Sequence, residues 1–93
     1  MISKIPDNLS KLSKDELDQE LLRIGIIAEL DAVSLYEQLA AQTNNKALKK
    51  CFADIAKEEK THVGEFQALL LRLDKDQVKE LQAGKKEVEE KFL

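Results

Sequence analysis

Three side chains in this 93-residue sequence have the types and the spacing to hold a metal ion: Glu29, Glu59 and His62. Glu59-Lys60-Thr61-His62 is a Glu-x-x-His motif, and an i, i+3 spacing puts both ligands on one face of a helix. Carboxylate oxygens and an imidazole nitrogen suit iron, and the set also accepts manganese or zinc. Each acid interrupts an apolar seam. Leu48, Phe52, Ile55, Glu59, His62, Phe66, Leu69 and Leu73 recur at alternating steps of 4 and 3, and so do Leu22, Ile26, Glu29, Val33, Tyr36 and Ala40. A carboxylate in such a seam is costly unless paired or metal-bound, and neither seam contains a Lys or Arg.

The seams define the elements that must carry them. Residues 1–12, which hold the single Pro6, read as a flexible arm. Ser13-Lys14-Asp15-Glu16 is a capping box that opens a first helix over 13–42, interrupted only by Gly25. Thr43-Asn44-Asn45 is a polar break, and a second helix follows over 45–74. A short third helix is expected over 76–83, with Gly84 as its C-cap and a charged tail over 84–93. The two long helices, each roughly 42 Å at 1.5 Å per residue, are joined by so short a loop that they must be antiparallel neighbours.

In that hairpin Glu29 lies as far before the Asn44-Asn45 turn as Glu59 and His62 lie after it, so the three fall at one height. Singly, each has a plainer reading: Glu29 as a rim acid, His62 as a satisfied boundary histidine, Glu-x-x-His as a chance spacing in a charged helix. Together, in otherwise apolar seams, they point to a divalent cation. Pairs of iron or manganese ions in four-helix bundles take a Glu from each of two helices and Glu-x-x-His from each of the other two. This chain supplies half of that set. A two-fold homodimer would supply the rest, and would also bury the stripes that a lone hairpin leaves open. The expected fold is therefore all-α: an antiparallel two-helix hairpin with a short C-terminal helix, completing a four-helix bundle by dimerisation.

Composition narrows the function further. With 15 Lys+Arg against 18 Asp+Glu and a net charge of -3, the chain lacks the basic excess of a nucleic-acid binder. It contains no apolar run long enough for a membrane span. One cysteine, Cys51, allows neither an intrachain disulfide nor a Cys-rich zinc module, and reads as a buried structural thiol. A cytoplasmic protein is expected. Tyr36, Asp31 and Glu58 stand near the three ligands as candidates for supporting or metal-uptake roles.

The segment Ile27-Ala28-Glu29-Leu30-Asp31-Ala32 with Tyr36-Glu37-Gln38, followed by Glu58-Glu59-Lys60-Thr61-His62, resembles the encapsulated ferritins, most closely the archaeal type, some of which are fused to the shell protein. The resemblance spans most of 21–81. It implies a half-ferritin fold and a ferroxidase that oxidises Fe(II) with dioxygen, two irons being held per dimer by Glu29, Glu59 and His62. Glu59 and its symmetry mate would bridge the irons, with Glu29 and His62 as terminal ligands. It further implies a ring-shaped decamer inside the lumen of an encapsulin nanocompartment, where the iron is stored. Some bacterial members have an acid where this chain has Ala28 and a Trp where it has Leu35, which leaves Asp31 as the acidic candidate for an uptake site. An alternative of another class is a non-catalytic helical assembly module, its Glu and His forming a buried network that fixes register. Peroxide-reducing rubrerythrins share Glu-x-x-His but add a Cys-rich rubredoxin site, against which the single Cys51 argues.

Overall fold

Ser13 begins the first helix as its sequence requires: the extended residue's Oγ accepts from the Glu16 backbone N–H at 3.2 Å. The computed structural model describes residues 11–93, so most of the arm expected over 1–12 lies outside the described residues. α1 runs Lys14–Gln42, α2 runs Lys46–Leu73 and α3 runs Lys75–Lys91, and among the described residues there is no strand. No helix of the described residues is long and apolar enough to cross a membrane.

Thr43 adopts an extended conformation and stops α1. Asn45 then starts α2, its Oδ1 accepting from the N–H groups of Ala47 (2.9 Å) and Leu48 (3.1 Å). Lys49 reaches back to donate to the Ala40 carbonyl at 2.6 Å, satisfying an oxygen that the end of α1 leaves without an intrahelical partner. This tight turn lays α2 antiparallel along α1.

Asp74 makes the second corner. It caps the end of α2 through its own N–H, which donates to Leu70 O at 2.8 Å, and the start of α3 through Oδ1, which accepts from Gln77 N at 3.0 Å. Its other oxygen accepts from Arg23 of α1 at 2.7 Å, and the same guanidinium contacts Glu20 and Gln19. One carboxylate thus ties all three helices together.

α3 is longer than the expected 76–83. Gly84 does not cap it: the glycine has no positive φ, and the helix continues through it to Lys91. The charged residues beyond it favour the helix, with Lys86–Glu90 and Glu87–Lys91 paired at i, i+4.

The single-chain core is thin. Only Val33, Ala56 and Leu70 are buried among the described residues. On α2 the side chains withdrawn from solvent are Phe52, Ile55, Ala56, Glu59, His62, Val63, Phe66, Leu70 and Leu71, so the middle of the expected seam is covered. Leu48, Leu69 and Leu73 of that seam are exposed. Leu69 and Leu73 line an open apolar groove with Leu21 and Leu22, with Asp18 and Arg72 at its rim. Cys51, expected to be buried, is exposed. It stands five turns before Leu69, on the same side of α2.

Candidate metal centre

The hairpin brings Glu29, Glu59 and His62 together. One potential ligand atom of each lies within 4.8 Å of the others, a spread that a single ion could draw in. Glu29 comes from the middle of α1, and Glu59 and His62 from adjacent turns of α2. His62 Nδ1 lies 3.3 Å from Glu59 Oε2 and 3.5 Å from Glu29 Oε2. It therefore faces two carboxylates from two helices, and it donates to the nearer.

The balance of partners is incomplete. Glu29 Oε2 is buried and accepts no hydrogen bond. One imidazole N–H cannot satisfy two carboxylates, and no Lys or Arg is ion-paired with Glu29 or Glu59 among the described residues. A buried acceptor without a donor is expensive, and two acids this close repel one another. A cation relieves both costs, so the residues present fit a metal ion. The carboxylates are hard oxygen donors, and the imidazole adds a nitrogen.

Burial differs between the ligands in a way that matters. The side chains of Glu29 and Glu59 are 21% and 18% exposed, whereas that of His62 is 43% exposed. His62 lies at the edge of the hairpin, seven residues, or two turns, before Leu69 and hence on the side of the open apolar groove. The cluster opens onto the face that the single chain leaves uncovered.

The candidates for supporting roles are dispersed. Asp31 and Glu58 stand outside the three-residue group. Tyr36, two turns after Glu29, stacks on Phe52 with ring centroids 6.3 Å apart and planes at 25°. Sequence reasoning passed over one local feature. Gly25 packs against Phe66, so that a methyl group at Gly25 would stand 3.2 Å from the ring's Cδ2 and Cε2. The available signal was a lone glycine inside a long helix, one turn before Glu29.

Comparison with known proteins follows the same line. Residues 20–93 match the Rubrerythrin family. The chain is 55% identical over 78 residues to a ferritin-like–encapsulin shell fusion protein of Pyrococcus furiosus, covering 84% of this chain and 22% of that one. It is 35% identical over 82 residues to an encapsulin nanocompartment cargo protein of Myxococcus xanthus, covering 88% of this chain and 59% of the other. The chain thus spans about a fifth and about three-fifths of these two relatives. The crystal structure of the encapsulated ferritin domain from Pyrococcus furiosus superposes with a TM-score of 0.79 at 46% identity, over 99% of this chain and 88% of that one.

Proposed function

From a chain that belongs to the rubrerythrin family, among the encapsulated ferritins, we propose a ferroxidase: it oxidises Fe(II) to Fe(III) with dioxygen at a site shared between two copies. The observation that carries this reading is the orphaned Glu29 Oε2 beside Glu59 and His62. A self-satisfied Glu/His network, the competing reading, would leave no buried carboxylate oxygen without a donor.

Fe(II) is the substrate. Each ion gives up one electron, and two electrons with two protons convert dioxygen to hydrogen peroxide. The chain's own residues bias this transfer through charge. Glu29 and Glu59 favour the more highly charged, harder Fe(III), while His62 retains affinity for Fe(II). The Nδ1 of His62 is turned to two carboxylates. An ion held there would need the lone pair of that nitrogen and both carboxylates deprotonated, so protons compete with the metal and binding weakens in acid.

The second copy is part of the proposal. A hairpin burying so few side chains gains from a partner on its open face, and a two-fold dimer there would bring a second Glu29, Glu59 and His62 to the first. Glu29, Glu59 and His62 of the two copies would then hold two irons per dimer, as the resemblance to the encapsulated ferritins implies. The relatives' names support a place with an encapsulin compartment; assembly of dimers into a ring and storage of the iron in that lumen are finer steps that the resemblance to the encapsulated ferritins implies.

The test is aerobic Fe(II) titration of the wild type against Glu59→Ala, followed by the absorbance of Fe(III). The wild type is expected to oxidise iron well above the uncatalysed background and the variant close to it. Equal rates would remove Glu59 from the site and the ferroxidase reading with it.

A further inference from the structure

The layer of side chains next to the three candidate ligands contains an unusually close contact between the helices. Gly25 is one turn before Glu29 on α1, and Phe66 is one turn after His62 on α2. Because the helices are antiparallel, these displacements bring the two residues to the same level. The ring of Phe66 lies against the backbone of α1 there. A Cβ on residue 25 would meet Phe66 Cδ2 and Cε2 at 3.2 Å and Cγ at 3.6 Å. The first two distances fall short of the roughly 3.5–4.0 Å at which carbon atoms pack without repulsion. The other two glycines behave differently: a Cβ at Gly64 or Gly84 would meet nothing within 4 Å.

We infer that Gly25 and Phe66 are positioning residues, whose contact sets the separation of α1 and α2 at the metal ligands and so the spacing of Glu29 from His62. The inference rests on the reading of Glu29, Glu59 and His62 as a metal site. The His62–Glu29 approach of 3.5 Å spans the same two helices one turn away. A side chain on residue 25 must move the ring or part the helices by a few tenths of an ångström. Metal–ligand distances tolerate only about 0.2 Å. On the far side of the ligands the nearest aromatic contact, Tyr36 on Phe52, is two turns off, so Gly25–Phe66 is the closer control.

This role makes a prediction opposite in sign to that of a plain helix weakness. Alanine is a better helix former than glycine, so if Gly25 were only a flaw in α1, Gly25→Ala would raise stability and leave metal binding alone. The experiment uses the full chain and Co(II), whose visible absorption reports ligand geometry independently of any turnover. Titrations compare the wild type, Gly25→Ala, Phe66→Leu, the double variant Gly25→Ala/Phe66→Leu and, as control, Gly64→Ala. Each single change at the contact is expected to weaken Co(II) binding about tenfold and to alter the spectrum. The double variant should recover affinity and spectrum together, and Gly64→Ala should match the wild type. Wild-type affinity and spectrum in either Gly25→Ala or Phe66→Leu overturn the inference while leaving the metal site intact. A wild type that binds no Co(II) overturns the metal reading, and this inference falls with it.

Discussion

Glu29 Oε2 lies 3.5 Å from His62 Nδ1 on the opposite helix, yet it is buried and accepts no hydrogen bond. The two residues face each other without satisfying each other. This makes the metal-free hairpin strained at the one place where it is chemically equipped.

Replacing that acid should therefore separate stability from function. In the metal-free chain, Glu29→Leu removes an unsatisfied buried acceptor and should raise stability by about 1 kcal/mol. The same change should abolish the stabilisation that the wild type gains from added Co(II). Thermal unfolding with and without the ion measures both effects. A variant that is less stable without metal but still shifted by it would contradict the assignment of Glu29.

Leu69 tests the uncovered face. It is 52% exposed beside the apolar groove and contributes little to the single hairpin. Leu69→Lys should cost the hairpin less than about 0.5 kcal/mol but place a charge where a second copy would dock under the proposed dimer. Sedimentation should show a smaller species than the wild type. Co(II) binding should weaken although Glu29, Glu59 and His62 are untouched. An unchanged assembly would direct attention to another face.

Asp74 gives a pH dependence of known sign. The hydrogen bond from the Gln77 backbone, then that from Arg23, hold its carboxyl below the usual aspartate value. Its contribution is therefore fully present above that ordinary value, near about pH 4, and is lost as pH falls through the lower folded value. Asp74→Asn keeps a capping side chain and removes the charge. The melting temperature of the variant should lie below that of the wild type at neutral pH, and the gap should close in acid. A gap that widened below pH 4 would refute the role given to the Arg23 contact.

The clustering of Glu29, Glu59 and His62 was legible in the sequence because heptad spacing and distance from the Asn44-Asn45 turn are local quantities, and an acid among leucines stands out on both counts. The line of α2 that faces α1 was less legible. Leu48, Leu69 and Leu73 are as apolar as any core residue, and periodicity does not distinguish a face covered within the chain from one left open. Ala56, which is buried, offers almost no hydrophobic signal of its own. Gly84 misled for a related reason: glycine ends helices at positive φ, but here the helical residues on both sides carry it through. The Arg23–Asp74 bond joins residues 51 apart and depends on the angle of the α2–α3 corner, which spacing rules do not contain.

The half-exposure of His62 on an open apolar face has a kinetic consequence. If each chain holds half of the ligands, intact centres form by encounter, and at high dilution their number grows with the square of the amount of free protein. Scattered copies would then be nearly inert toward iron, and crowding them into a small volume would switch oxidation on without any change in the chain itself.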